Sequence, residues 1–411
     1  MEEIKMNTDK RRWFILLACC LINLCLGSIY AWSVFSSAMT EYLNTTVGLN
    51  LGPGDMAIVY TIANSVGPIT MISGGWFNDH IGPKLVIMIG GIMWGAGMFF
   101  SGFATSVPFL IVTYGLIGGL GLGMAYGSTI STCVKYFPDK RGLIGGITTA
   151  VYGASSVILP PIVTKIVAAS GAPFAFKAIG IAFLVIIVLA ALSLAPCPDG
   201  YKPEGWNPPA AKAGAGPINM DWKQMIKTPV FYVMLILLTC GAFSGMMVIS
   251  QASPVAQNMI GMTTAAAAGA VSVLALFNAL GRIMAGYISD RIGRINTLMG
   301  ACILSVAGLL LLFISHEGSL LTFYIGLSIV GVAFGSFMGV YPGFTVDQFG
   351  PKNNSVNYGI MFIGFALAGY FGPQIMRNVY ASTGAYQNAF LIASGLSLFG
   401  VILTIVYRKV K

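Results

Sequence analysis

Long apolar blocks separated by short polar breaks run the whole length of the chain, and nowhere do they give way to the strict alternation of half-buried strands. The blocks fall near residues 13–39, 56–77, 85–104, 108–134, 143–168, 174–195, 229–250, 264–288, 297–315, 320–345, 356–376 and 386–407. Each is roughly twenty residues or longer, which at about 1.5 Å of rise per residue crosses about 30 Å of hydrocarbon as a helix. The pattern therefore predicts an all-α membrane protein with twelve transmembrane helices. A lipid-facing barrel would instead need about ten-residue segments of alternating polarity.

Composition sharpens this picture. The chain is 56% hydrophobic and only 9% charged, with a mean hydropathy of +0.82, a balance that excludes water as its main solvent. A formal net charge of +9 could point to nucleic acid, but the placement of the basic residues explains it better. On a twelve-span map Lys10, Arg11, Arg12, Lys84, Lys135, Lys140, Arg141, Arg291, Arg294, Arg408, Lys409 and Lys411 share one side, whereas Lys165, Lys177 and Arg377 lie towards the other. That asymmetry predicts both termini in the cytoplasm of a multi-pass cell-membrane protein, the inner membrane in a bacterium, with no nucleic-acid partner. Lys10, Arg11 and Arg12 precede a first block too long for a signal-peptide core, so it reads as an uncleaved span. All seven cysteines except Cys197 sit in apolar segments, where Cys packs as a small hydrophobe. No disulfide framework, metal site or cofactor is expected.

Between the sixth and seventh blocks the composition changes to Pro, Gly and charge, from Pro196 through Pro203, Pro208, Pro209, Gly214 and Pro217 to Lys227. The expected organisation is a six-helix bundle over 1–195, a cytoplasmic linker over 196–228 and a second six-helix bundle over 229–411. Trp222, Met225 and Ile226 beside Lys223 and Lys227 suggest a short interfacial helix at the linker's end, with a plain polar connector as the alternative. The two halves repeat one another. GWFNDHIGPK starts at Gly75 and GYISDRIGRI at Gly286, so Gly75, Asp79 and Gly82 recur as Gly286, Asp290 and Gly293 at one offset of 211 residues. Parallel repeats of this kind imply a pseudo-twofold axis along the membrane normal and a central cavity between the halves.

A glycine, three residues, Asp, a basic residue, one residue and Gly, in the loop after the second helix, resembles the loop motif of the major facilitator superfamily. The resemblance implies two pseudo-symmetric six-helix bundles. It also implies a charge network around Gly75, Asp79 and Gly82, with Gly286, Asp290, Arg291 and Gly293 as its counterpart, that biases the carrier's conformation. A narrower resemblance covers most of the chain: GSIYAWSVF (27–35), YFPDKRG (136–142), KTPVFY (227–232) and DQFGPKNNSVNYG (347–359) are together similar to the oxalate/formate antiporter family, allied to the monocarboxylate transporters.

One basic residue escapes the charge map. Arg282 lies two helical turns before Asp290, about 12 Å into the membrane. An Arg at such depth costs roughly 2.5–3.5 kcal/mol on insertion scales, so it should find a wet cavity or an anion. Every Asp and Glu maps to a terminus, loop or helix end, and the missing anion reads as the substrate. Asn278, four residues earlier, shares the Arg282 face and can support the guanidinium or a substrate oxygen. The competing reading is an Arg that snorkels to the interface. The repeat-equivalent residues in the first half are Met71 and Gly67, so the fold itself does not require the charge.

In the related monocarboxylate transporters an acidic residue commonly precedes this arginine by four positions; Asn278 stands there instead, so any proton that moves must ride elsewhere, for example on the substrate carboxyl. Aligning NYG (357–359) with the oxalate/formate antiporter places Phe365 where that family has a lysine that helps to hold a dianion. A single central cation favours a monoanion. Tyr30, Tyr126, Phe334, Tyr341 and Tyr152 are aromatic candidates for the pocket wall, with packing as the alternative for each. Glycine-rich stretches at 118–123 and 364–372 permit close helix packing. No nucleophile with a base and no phosphate loop is present, so an enzyme is not expected. The sequence thus predicts a secondary carrier working as a monomer by alternating access. Its cargo is a small monocarboxylate of the lactate or pyruvate kind, carried together with a proton; anion exchange of the oxalate/formate kind and a membrane receptor are the alternatives.

Overall fold

The computed structural model describes residues 2–52, 55–198, 200–207 and 218–411; the linker residues Pro208, Pro209, Gly214 and Pro217 lie outside the described residues. The elements are α1 (Glu2–Leu26), α2 (Trp32–Tyr42), α3 (Ala57–Ile81), α4 (Pro83–Ser101), α5 (Val107–Leu110), α6 (Gly119–Tyr136), α7 (Arg141–Leu192), α8 (Trp222–Met225), α9 (Pro229–Asn258), α10 (Thr264–Ile292), α11 (Arg294–Ile314), α12 (Leu320–Phe349), α13 (Asn354–Met361), α14 (Ile363–Thr383) and α15 (Gln387–Val410). A 3₁₀ stretch, Gly27–Ala31, joins α1 to α2, and a π-helical stretch, Ile111–Gly118, joins α5 to α6. No strand occurs among the described residues.

Every expected span is found among the described residues, with two differences of detail, the first being that the span at 356–376 is divided at Phe362 between α13 and α14. Two spans predicted at 143–168 and 174–195 form the single helical run α7, interrupted only at Gly171 (φ 80°, ψ 167°). Glycine tolerates that positive φ, and Pro173, two residues later, cannot donate to the preceding turn. The break divides α7 into two passes and brings the total among the described residues to twelve. Elsewhere the polar ends of helices extend past the apolar blocks, as at Arg291 in α10 and Asp347 in α12. Large apolar residues on the outside, such as Phe14 and Leu321, are exposed to what must be lipid.

The short helix expected at 221–227 is present as α8. Asp221 accepts from the Gln224 backbone N–H at 2.8 Å, and the Gln224 side chain accepts from Asp221 N at 3.0 Å, a reciprocal cap. Met225 is buried, Trp222 is exposed, and Lys223 Nζ lies 5.6 Å from the Trp222 ring centre.

The chain forms two compact units. The first comprises Met1–Asp139, Val151–Asn219 and Gly350–Ile360; the second comprises Lys140–Ala150, Met220–Phe349 and Met361–Lys411. Each unit thus includes a short piece of the other sequence half: the start of α7 belongs to the second and α13 to the first. In the first unit α3 packs closely on α6, and a Cβ on Gly123 would overlap Gly67. In the second, α10 packs on α12 in the same manner, with Gly331, Gly335 and Gly339 of α12 laid along α10. Small residues at four-residue spacing let helix backbones touch where lipid supplies no hydrophobic drive for association.

Candidate functional site

Arg282 lies in the middle of this second close packing. A Cβ on Gly335 would overlap the Asn278 carbonyl, and one on Gly339 would overlap the Arg282 carbonyl. From the α7 side, Gly146 approaches the same Arg282 carbonyl as closely. The α10 backbone at 278–282 is therefore held between glycines of two other helices, which fixes where the side chain starts.

The side chain does not snorkel. Arg282 is 2% exposed; its Nε donates to Asn278 Oδ1 at 3.2 Å, and its Nη1 donates to the Thr149 backbone carbonyl at 2.6 Å. Asn278 is buried too. Among the described residues no carboxylate lies within ion-pair distance of Arg282. Both acceptors are neutral, so the positive charge is hydrogen-bonded but not neutralised. A guanidinium has five N–H donors, and these contacts engage two of its three nitrogens, which leaves Nη2 for a guest. A hydrogen bond to a charged group contributes about 1.5–3 kcal/mol, enough to offset much of the burial cost without an anion. The added gain from a carboxylate, through two parallel charge-assisted bonds, remains open to a ligand.

The aromatic candidates separate into groups. In the second unit Phe334 is buried against Gly245 and stacks on Phe365 at 6.3 Å, and Phe365 stacks in turn on Phe362 at 4.5 Å. Tyr341 is fully buried and donates its hydroxyl to the Met234 carbonyl at 2.7 Å, an interhelical tie that commits its proton to the protein. In the first unit Tyr30, Tyr126 and Tyr152 form one cluster, with Tyr152 ring-centre distances of 5.3 Å to Tyr30 and 4.6 Å to Tyr126.

The loop motif builds a separate constellation in each unit. In the first, Asp79 is almost fully buried: it pairs with Lys135 at 2.7 Å and accepts from the backbone N–H groups of Ser355 at 3.0 Å and Val356 at 3.2 Å. Ser355 Oγ also donates to Asp79 at 2.7 Å, and Asn78 donates to Ser355 Oγ at 2.7 Å. A Cβ on Gly75 would press on the Ser355 carbonyl carbon at 2.7 Å. Gly75 and Asp79 thus seat the amino-terminal end of α13, where a carboxylate is favoured by the unpaired N–H groups. Gly82, at φ 91°, makes the turn that follows.

In the second unit Asp290 accepts from Gly142 N and Leu143 N, both at 2.9 Å, and a Cβ on Gly286 would overlap the Gly142 carbonyl. The first turn of α7 is seated there as α13 is on Asp79. Gly293 (φ 89°) repeats the turn of Gly82. The cation of Asp290 is Arg294, at 2.6 Å, which also binds Asp347 at 2.8 Å; Asp347 in turn pairs with Arg141 at 2.7 Å. Arg291, the motif's basic position, lies instead over the Tyr287 ring at 4.2 Å. Its equivalent His80 likewise stacks on Trp76.

Sequence reasoning missed Lys135, Ser355, Asp347 and Thr149. The first three are polar residues at helix ends; Asp347 and Ser355 lie in the string DQFGPKNNSVNYG without any sign of what they bind, and Thr149 contributes only a backbone carbonyl. A signal did exist for Gly331, Gly335 and Gly339, whose four-residue spacing matches that of Gly119, Gly123 and Gly127.

With this geometry in hand, comparison with known proteins identifies the family. The family model of the Major Facilitator Superfamily matches residues 17–373. The chain belongs to that superfamily. It is 28% identical over 396 residues to the oxalate:formate antiporter of Oxalobacter formigenes, covering 95% of this chain and 90% of that protein. It is 24% identical over 417 residues to monocarboxylate transporter 12 of Xenopus laevis, covering 95% and 87%. Its fold superimposes on the Escherichia coli fucose:proton symporter with a TM-score of 0.72 at 14% identity, over 96% of this chain and 98% of that one. The protein is thus a multi-pass membrane transporter of the major facilitator fold, a carrier rather than an enzyme.

Proposed function

We propose that this carrier moves small monocarboxylates of the lactate or pyruvate kind, as a monomer, with Arg282 as the group that holds the carboxylate. A buried guanidinium with two neutral acceptors and, among the described residues, no carboxylate partner carries this reading. Asn278 orients it through Nε, and the Phe334, Phe362 and Phe365 rings supply an apolar surface in the same unit. The charge of a monoanion matches the single cation, whereas a dicarboxylate would bring one uncompensated negative charge into a low dielectric. Arg cannot give up its proton, and Asn278 does not titrate, so a proton that accompanies the anion travels on the substrate carboxyl. Both termini lie in the cytoplasm, following the basic residues, and the repeated halves 1–195 and 229–411, joined by 196–228, open the site to one face of the membrane at a time.

Purified protein in liposomes tests this. Labelled lactate should accumulate when an inward proton gradient is imposed, and Arg282→Gln should abolish uptake while the protein remains folded. Transport retained in that variant would refute the role of Arg282. A second reading, exchange of small organic anions, is favoured by the match over 95% of the chain to an oxalate:formate antiporter. Uptake only against internal anion, unaffected by the proton gradient, would select it.

A further inference from the structure

Arg282 does two things at once: it is the anion-holding group proposed above, and it fastens a helix. Nη1 is bound to the Thr149 carbonyl at 2.6 Å, and Thr149 lies two turns into α7, in the stretch 140–150 that belongs to the second unit. The other ties on that stretch lie nearer its start: Asp290 to Gly142 N and Leu143 N, and Asp347 to Arg141. Arg282 provides a polar tie at its far end.

The repeat provides an internal control. In the first unit α13 is docked as the start of α7 is in the second, with Asp79 on its first N–H groups, and a Cβ on Gly359 would press on the Met71 carbonyl at 2.9 Å, as one on Gly146 would on the Arg282 carbonyl. Met71 stands where Arg282 stands. The docking is thus achieved in the first unit with an apolar side chain at this place. The Arg282 to Thr149 bond is an addition to the docking rather than a condition for it.

The two bidentate edges of a guanidinium each combine Nη2 with one other nitrogen, Nε or Nη1. A carboxylate that takes the Nη1 edge competes with the Thr149 carbonyl, and a charged acceptor outcompetes a neutral one for a cationic donor. We infer that the Thr149 carbonyl is an internal stand-in for the substrate carboxylate, so that binding of the anion to Arg282 releases the 147–150 turn of α7 from α10. The bond is a latch closed in the empty carrier and opened by cargo. This rests on the reading of Arg282 as the anion site and adds how occupancy of that site is passed to a helix.

Amide hydrogen exchange on the full-length protein in lipid nanodiscs tests it, with lactate as the probe and its binding followed separately by thermal shift. Saturating lactate should raise exchange in peptides covering 141–153 by at least about threefold, with the 354–361 peptides as the unlatched reference. Arg282→Gln should show the raised rate without lactate and no further response to it. Lactate that binds while 141–153 stays unchanged or becomes protected would overturn the latch and leave the anion site intact. If neither lactate nor pyruvate, acetate or formate binds, the anion site itself fails, and the latch with it. Exchange in Arg282→Gln equal to that of the empty wild type would overturn the latch independently of any ligand.

Discussion

Asp79 and Asp290 perform the same task 211 residues apart: each accepts hydrogen bonds from two successive backbone N–H groups at the start of a helix from the other sequence half, Ser355 and Val356 for Asp79, Gly142 and Leu143 for Asp290. The helix end supplies roughly half a positive charge, and a cation completes the balance, Lys135 in one case and Arg294 in the other. The cations differ in placement because Lys135 comes from α6, whereas Arg294 opens α11 just past the Gly293 turn that follows Asp290. Conservation of the task with different partners explains why the glycines and the Asp recur in the two loops while the basic positions do not act alike.

The Asp79 site is the better buried of the two, so its ion pair should be the harder to break. Asp79 is 2% exposed and Lys135 19%. Removing one member of such a pair leaves an uncompensated charge and costs about 3–5 kcal/mol. Asp79→Ala should therefore lower the melting temperature in detergent clearly more than Asp290→Ala does. Combining Asp79→Ala with Lys135→Met should recover part of the loss, and strictly additive effects would show that the pair is not coupled.

At Arg282 the expectation has the opposite sign. Its charge is buried between neutral acceptors, and replacing a buried charge with a neutral side chain is often neutral or stabilising. Arg282→Met should keep or raise the melting temperature while transport is lost. Arg282→Lys keeps the charge but not the planar fork, and uptake should fall by about tenfold or more. A lysine variant with unchanged uptake would show that charge alone suffices.

The fold was legible because lipid imposes a simple rule: each span must be long, apolar and helical, and each break polar. Gly171 shows the limit of that rule, since the chain turns between two passes on one glycine without leaving helical geometry on either side. The depth of Arg282 was legible for the same reason, a charge with no polar break beside it. What holds Arg282 was not. Asn278 could be read from its four-residue spacing, but Thr149 acts through a peptide carbonyl that any residue would supply, from a helix 133 positions away. Tyr341 illustrates the reverse case: its aromatic ring in an apolar block suits a pocket wall or plain packing, and nothing in the sequence signals that its hydroxyl ties α12 to α9.

The glycines against α10 should tolerate nothing larger. Gly335→Ala would place a methyl group on the Asn278 carbonyl and force α10 and α12 apart, at about 1–3 kcal/mol for overpacking. Gly395, in α15, has no neighbour within 4 Å of a built Cβ, so Gly395→Ala should gain up to about 1 kcal/mol from helix propensity alone. Thermal melts of the two variants should shift in opposite directions. A drop for both would mean that glycine is needed for flexibility rather than for close approach.

Phe365 offers a test of why a monoanion is favoured. Its ring stacks on Phe334 and Phe362 in the unit that contains Arg282, and the oxalate/formate antiporter resemblance aligns a lysine with it. If one central cation sets the charge of the cargo, a second should change it. Phe365→Lys should then acquire oxalate uptake and lose lactate uptake, because a monoanion would leave one ammonium unpaired in a low-dielectric site. The added Lys carries its own burial cost when no dianion is present, so oxalate should also stabilise the variant against heat where it does not stabilise the wild type. A variant that melts normally, binds no oxalate and still carries lactate would show that the cargo's charge is set elsewhere than at this ring.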